Sequence, residues 1–272
     1  MVTTKFIGDQ VVFENLTEEE INIGFHDRKF GFRDLIDAEL ATREVRKCFF
    51  GKNLVVRNCP NLKILDLHGL KLRGLKIENC PNLETLNISY NNILNIDLSD
   101  CKKLVNLFCS NNILNKLDVT ANTSLINLSC DNNFIKELNV THLKELEVLY
   151  CFKCRFYSSE LDVSNLKNLV ELNCANSFLT KLNVSGCDSL EILDCAENKL
   201  QSLVIVGLPK IKTVSCKLNP EMKILDAGKA PNLEFIDYTR NLFIKNKKLR
   251  SRFFGSNNIR EIYCSRDCVP AY

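Results

Sequence analysis

Apolar residues recur along most of this chain at a fixed spacing. Each unit has an apolar residue at its first position, here offset 0, and further apolar residues at offsets 3, 5, 10, 13 and 15. Offsets 3 and 5 alternate with polar residues, which is the pattern of a β-strand with one buried face. The first positions are Leu62, Leu83, Leu104, Leu125, Leu146, Leu169, Leu190, Ile211 and Leu233. This period of 21 residues, lengthened to 23 after Leu146, predicts a solenoid in which one strand per unit pairs in parallel with the next.

A polar position lies inside this apolar pattern at offset 8. Its occupants are Asn91, Asn112, Asn133, Cys154, Ser177, Asn198, Asn219 and Asn241. An inward asparagine can both donate to carbonyls and accept from amides of the loop that leaves the sheet, groups that cost about 1 to 3 kcal/mol each when unpaired. The asparagines are therefore predicted to have a structural role.

Most of the 14 cysteines follow the same period. One column, at offset 5, contains Leu67, Ile88, Cys109, Cys130, Cys151, Cys174, Cys195, Cys216 and Tyr238, and a second contains Cys59, Cys80, Cys101, Asn122, Leu143, Leu166, Cys187, Leu208 and Ala230. Because cysteine alternates with leucine in these columns, we expect packed thiols rather than disulfides or metal ligands. Cys264 and Cys268 lie outside the period but supply too few ligands for zinc. No metal and no cofactor is predicted.

The unit reads Leu-x-x-Leu-x-Cys-x-x-Asn-x-Leu-x-x-Leu-Asp-Val-Ser, and the last positions, such as Asp97 and Ser99, are typical of turns. Over about residues 41 to 241 it resembles the short leucine-rich repeats of bacterial proteins, sometimes called the IRREKO type. The resemblance implies an internalin-like α/β solenoid: a leucine-rich-repeat arc with a parallel concave β-sheet, turns or short extended segments on the convex side, and a cap at each end. It implies protein binding on the concave face and no activity. Cys154, Ser177 and the long unit at Leu146 depart from the pattern.

The two ends of the chain lack the repeat. We expect residues 1–47 to form an N-terminal cap, with a short helix from Asp34 to Lys47, because a solenoid needs its first apolar layer covered. Residues 48–241 form the repeat array, and residues 242–272 form the C-terminal cap.

Offsets 2, 4 and 6 are the strand positions expected to face solvent, and most of them are small or polar. Four apolar exceptions gather on neighbouring strands beside polar residues, where clustered rings are typical of an interface. The predicted partner-binding residues are Phe108, Val148, Tyr150 and Phe152, flanked by Asp131, Asn173 and Asp194. The two inserted residues before Leu161 enlarge the same surface.

Charge suggests a second interpretation. Residues 199–272 contain 14 basic and 6 acidic residues, and the densest basic run is Lys245, Lys247, Lys248, Arg250 and Arg252. This run could bind phosphate groups or acidic surfaces, although no aromatic-interleaved nucleic-acid motif accompanies it, so nucleic acid is not the expected partner. A third interpretation is a recognition subunit of an enzyme complex.

Catalysis is not predicted. The histidines His26, His68 and His142 are dispersed among different offsets, and no phosphate-binding glycine loop is present. The first residues lack a signal-peptide core, and no apolar run is long enough to span a membrane. The expectation is a non-catalytic cytoplasmic scaffold, adaptor-like or an effector delivered into a host cytosol. It binds another protein of unknown identity, and the oligomeric state is not determined.

Overall fold

A computed structural model describes residues 4–7, 9–23, 48–157, 159–228, 230–241 and 261–263. The chain divides into two compact units, Met1–Phe134 and Ile135–Tyr272. Each unit is a stack of turns of about 21 residues, and each turn contributes one short strand to a main parallel sheet.

The main sheet of the first unit has the strand order β3-β5-β7-β8-β9, all parallel and in register. Its strands are β3 (Glu20–Asn22), β5 (Ile64–Asp66), β7 (Thr85–Asn87), β8 (Asn106–Phe108) and β9 (Asn127–Ser129). The strands are three residues long because only offsets 2 to 4 of each unit have the period-2 pattern.

A second sheet of the first unit has the order β1-β2-β4-β6. Its strands are β1 (Thr4–Ile7), β2 (Gln10–Glu14), β4 (Asn53–Arg57) and β6 (Gly74–Glu78). β1 is antiparallel to β2, while β2, β4 and β6 are parallel.

The second unit repeats this plan. Its main sheet has the order β10-β12-β14-β16-β18-β19 with parallel pairing throughout, and two parallel pairs, β11-β13 and β15-β17, lie in the return segments. The strands are β10 (Val148–Tyr150), β11 (Glu160–Asp162), β12 (Glu171–Asn173), β13 (Lys181–Asn183), β14 (Ile192–Asp194), β15 (Ser202–Val204), β16 (Thr213–Ser215), β17 (Ile224–Asp226), β18 (Phe235–Asp237) and β19 (Glu261–Tyr263).

The return segments are turns and short strands, as the Asp-x-Ser pattern predicted. The carboxylate of Asp97 accepts the Ser99 amide at 3.0 Å, and Asp162 accepts the Ser164 amide at 2.9 Å. Each such residue closes a local turn two residues long, which leaves no hydrogen-bonding pattern for a helix. The predicted fold class, a leucine-rich-repeat solenoid with a parallel sheet and non-helical return segments, is confirmed.

The predicted cap boundaries at residues 47 and 242 stay predictions. The expected helix from Asp34 to Lys47, the basic run that begins at Lys245, and the pair Cys264 and Cys268 all lie outside the described residues. In the described part of the chain, no helix has the length and apolarity that crossing a bilayer requires.

Candidate binding face

The asparagines at offset 8 hold neighbouring turns together. Asn112 is buried, and its Nδ2 donates to the carbonyls of Ile88, Cys109 and Ser110 at 2.9, 3.1 and 3.3 Å. Its Oδ1 accepts the Ile93 amide at 3.0 Å. The same pattern recurs at Asn91 and Asn133 in the first unit and at Asn198 and Asn219 in the second. The structural role predicted for the asparagines is confirmed, so these side chains are not available to a partner.

Both cysteine columns are buried in the core, as the repeat register predicted. The cysteines of the offset-5 column, Cys109, Cys130, Cys151, Cys174, Cys195 and Cys216, are fully buried, and the twelve described cysteines are all free thiols. Burial raises the pKa of Cys174, Cys195 and Cys216 well above 9.0, which keeps these thiols neutral. A neutral, solvent-shielded thiol is a poor nucleophile, so neither column is a reactive site.

The asparagine ladder is interrupted inside the second unit by Cys154 and Ser177. Both side chains are fully buried. The Ser177 hydroxyl lies 3.0 Å from the carbonyls of both Cys151 and Ala175 and accepts the Cys154 amide at 3.2 Å. A hydroxyl has one proton where an amide has two, so this turn has fewer side-chain donors than its neighbours. The exchange is again structural.

The solvent-facing side of the first unit's main sheet is polar and internally hydrogen-bonded at offset 2. Asn127 Nδ2 donates to Asn106 Oδ1 at 2.7 Å, and Asn106 Nδ2 donates to the Thr85 hydroxyl at 3.0 Å. These side chains run across β7, β8 and β9 as one chain of hydrogen bonds. Phe108 lies beside this chain at offset 4, half-buried, in register with Asn87 and Ser129.

Asp131, predicted as a partner-binding residue of the first unit, is buried. The Ser110 hydroxyl donates to its Oδ1, and Asn132 Nδ2 donates to its Oδ2 at 3.1 Å. Both carboxylate oxygens are therefore engaged within the fold, which accounts for an acidic residue at a buried strand end.

The second unit brings Val148, Tyr150, Asn173 and Asp194 onto one sheet face. Val148 pairs with Glu171, and Tyr150 pairs with Asn173, which in turn pairs with Asp194 on the next strand. Val148, Tyr150, Asn173 and Asp194 are all half-buried. Tyr150 and Asp194 thus lie two strand spacings apart, about 10 Å.

Asn173 and Asp194 also close the ends of their own strands. Asn173 Oδ1 accepts the Ala175 amide and Asp194 Oδ1 accepts the Ala196 amide, each at 3.1 Å. Asp66, Asn87 and Asp237 make the same contact in their turns. The recurrence of Asp or Asn at offset 4 therefore has a structural cause that the sequence analysis did not identify, although one oxygen or amide of each side chain is left over for other contacts.

Two further residues of this face were missed by the sequence analysis. Ile192, at offset 2 of β14, is 40% exposed, and Glu171 lies beside it in register on β12. An apolar residue at a solvent-facing offset was the available signal for Ile192. Phe152, which was predicted, follows β10 at offset 6 and is half-buried.

The described residues hold no group of three or more His, Cys, Asp or Glu side chains placed to bind a metal ion. His68 contacts the Tyr90 ring, with 5.0 Å between the ring centroids, at the edge of the first unit's sheet. Cys151 and Cys154 are both fully buried, as their inward offsets predicted.

Parallel strands in a 21-residue unit, joined by an inward asparagine ladder, define a leucine-rich-repeat solenoid of the short type, and the described turns of both units have these features. No protein-family model matches the chain, and no curated protein matches it. The solved structures that it resembles include internalins and other leucine-rich-repeat proteins.

One of these structures is the functional domain of InlJ from Listeria monocytogenes, which includes a cysteine ladder; it is 22% identical over 70% of this chain and 58% of that chain, with a TM-score of 0.44. A leucine-rich-repeat protein of Leptospira interrogans is 16% identical over 72% of this chain and 74% of that one, with a TM-score of 0.44. The LRIM1/APL1C complex is 14% identical over 94% of this chain and 58% of the other, with a TM-score of 0.49. This chain thus spans less than two thirds of the InlJ chain, and these likenesses concern the fold alone.

Proposed function

We propose that this protein is a non-catalytic scaffold that binds another protein on the solvent-facing side of its main sheets. In the second unit the binding centre is Val148 and Tyr150 on β10 with Phe152 just after it, and in the first unit the contact residue is Phe108 on β8. The single observation that carries the proposal is a half-exposed tyrosine and valine on a sheet face that the hydrophobic core does not need.

The core is complete without these side chains. In each turn the leucines at offsets 0 and 3 and the residue at offset 5 are buried; in β10 these are Leu146, Leu149 and Cys151, all fully buried. Tyr150 points to the other side of the strand. A large apolar group kept at a solvent-facing position is typical of an interface, and tyrosine is enriched among the residues that dominate binding energy.

The surrounding polar side chains also fit a binding face. Asn173 and Asp194 are held in place by the backbone amides that they accept, so a partner meets side chains with little remaining conformational freedom. Preorganised polar groups around an apolar centre limit the entropy lost on binding. No comparable arrangement of nucleophile and base is present in the described residues, which supports a binding role rather than catalysis.

The proposal is tested by recovering binding partners from the source extract with the wild-type protein and measuring their affinity for two tyrosine variants. Tyr150→Ala removes the proposed centre, whereas Tyr157→Ala is the matched control, because Tyr157 is 64% exposed in the loop after β10 and lies off the sheet face. We expect Tyr150→Ala to weaken binding roughly thirtyfold, about 2 kcal/mol, with an unchanged melting temperature.

The opposite result has a definite meaning. If affinity is insensitive to Tyr150→Ala and Phe108→Ala but is abolished by charge reversal at Lys247 and Lys248, the sheet face is not the binding site. The electrostatic interpretation of the basic C-terminal segment then replaces this proposal.

A further inference from the structure

We infer that the partner segment bound by the second unit is basic: an extended peptide that places an apolar side chain over Val148 and Tyr150 and an arginine or lysine at Asp194, three residues away. This inference rests on the proposed function and adds the chemistry of the partner. It follows from the charges, the register and the hydrogen bonds of one sheet face.

The charges on the first three strands of this face are all negative. The outward positions of β10, β12 and β14 are occupied by Val148, Tyr150, Glu171, Asn173, Ile192 and Asp194. Among the described residues, neither Glu171 nor Asp194 forms an ion pair. The cations farther along the sheet are already engaged: Lys212 pairs with Glu191 at 2.6 Å, and Lys217 pairs with Asp237 at 3.7 Å.

Apolar side chains flank these two carboxylates. Glu171 lies in register between Val148 and Ile192, and the 40% exposure of Ile192 gives a partner a second apolar contact. A cation bound here would be partly shielded from water by its aliphatic neighbours. Ion pairs in such surroundings are stronger and less screened than those on an open surface. The face thus offers an apolar strip with two uncompensated negative charges in it.

The orientation of Asp194 favours a cation as its partner. Its Oδ1 is fixed by the Ala196 amide at 3.1 Å, which leaves Oδ2 to accept from an incoming guanidinium or ammonium group. A charge-assisted hydrogen bond of this kind is about twice as strong as a neutral one. Phosphate groups and acidic segments would instead meet the unpaired charges of Glu171 and Asp194, so nucleic acid is disfavoured on this face.

The register sets the spacing in the partner. Tyr150, Asn173 and Asp194 occupy equivalent positions on three adjacent strands, so Tyr150 and Asp194 are about 10 Å apart. An extended chain advances about 3.3 Å per residue, so a peptide that crosses the strands covers this distance in about three residues. The recognised pattern is therefore apolar-x-x-Arg/Lys or its reverse.

The test uses a random peptide library displayed on phage, selected against the full-length wild-type protein. Sequences that bind are synthesised, and their affinities are measured for Asp194→Asn and for a matched control, Asp226→Asn. Asp226 on β17 makes the same strand-end contact, accepting the Gly228 amide at 3.2 Å, but it lies in the smaller β15-β17 sheet. Asparagine keeps the accepting oxygen in both variants and removes one charge.

We expect selected peptides to be enriched in arginine or lysine three positions from an apolar residue. Asp194→Asn should weaken their binding about tenfold at low salt and reduce its salt dependence, while Asp226→Asn changes neither. A selection that yields no binder, or binders without a basic residue, overturns the inference. So does equal binding by Asp194→Asn and wild type.

Failure of the inference is distinguishable from failure of the proposed function. Peptides that require Tyr150 but are indifferent to Asp194 overturn only the basic-partner assignment. Peptides that bind Tyr150→Ala as well as wild type show instead that the sheet face is not the site, whatever their charge.

Discussion

The Asn112 side chain donates to the backbone carbonyl of Ile88, one turn earlier in the chain, across 2.9 Å. The same Nδ2 also bonds carbonyls of its own turn, and Oδ1 accepts the Ile93 amide. One buried side chain therefore satisfies backbone groups of two adjacent turns. Since the turns of a solenoid contact only their neighbours, such bridges contribute directly to the stability of each interface.

Replacing Asn112 with alanine should lower the free energy of unfolding by about 3 kcal/mol or more, because at least two buried backbone groups lose their partner at about 1 to 3 kcal/mol each. Urea unfolding of the variant and the wild type measures the difference. Asn92→Ala is the control, since Asn92 is exposed two residues after Asn91 and should change stability by less than about 0.5 kcal/mol. Equal losses at both positions would contradict the assignment of the ladder.

Core packing gives a second prediction. Leu107 on β8 is fully buried, so Leu107→Ala should destabilise the protein by about 2 to 5 kcal/mol through lost burial and the cavity left behind. Leu94→Ala, at a leucine that is 45% exposed, should have little effect. Thermal and urea unfolding of the two variants decide between them; a large loss at Leu94 would mean that this side chain is covered in solution.

Thiol labelling checks the cysteine columns. Cys48 is exposed, whereas the other eleven described cysteines are buried, so a thiol reagent should modify Cys48 in the native protein within minutes. The buried thiols should react only as fast as the protein unfolds, because a shielded neutral thiol does not attack. Peptide mapping by mass spectrometry identifies the labelled positions. Disulfides between neighbouring turns, found without reductant, would contradict the packing of these columns as free thiols.

Alkaline pH should destabilise the protein through the same residues. Burial raises the pKa of Cys80 and Cys187 to about 11 and that of Cys101 to about 12, from 9.0. A raised pKa in the folded state contributes stability that is present below about pH 9 and is lost as the pH rises toward 11 to 12. In that window the unfolded chain ionises first, and each such thiol lowers the free energy of unfolding by about 1.4 kcal/mol per pH unit.

The measurement is urea unfolding between about pH 8 and pH 10.5 under reducing conditions. A variant with alanine at Cys80, Cys101 and Cys187 is the control, since Ala230 occupies the same column naturally. Its stability should fall less steeply with pH than that of the wild type. Identical slopes would show that these thiols do not cause the loss.

The repeat features were predictable from the sequence because they depend on contacts that recur in every turn. A buried leucine at offset 0, an inward asparagine at offset 8 and an inward cysteine at offset 5 each leave a periodic signal, and the structure confirms all three. The break at Cys154 and Ser177 was visible for the same reason. The periodic signal did not show how a serine hydroxyl substitutes for part of the missing amide, since that depends on distances of about 3 Å.

The backbone conformation next to the ladder was not visible in the sequence. The residue at offset 7 has a positive φ in turn after turn, 58° at Tyr90, 56° at Asn111 and 57° at Glu197, although none of these is glycine. The cause is tertiary: its amide bonds a carbonyl of the next turn, as Asn111 does with Asp131 at 2.9 Å. An alanine at Asn111 should therefore destabilise the turn, although the side chain lies near the surface.

The sequence by itself determined the solenoid, its register and the side of each strand that faces solvent, because a period of 21 residues and an alternation of 2 leave only one way to bury the leucines. Only the tertiary structure decided which outward polar residues are free to bind. Asp131 has both carboxylate oxygens engaged and is buried, whereas Asp194 has one oxygen left and lies beside Ile192. Two aspartates on outward-facing positions of the repeat differ in this way because their hydrogen-bond partners come from side chains and backbone brought together by folding.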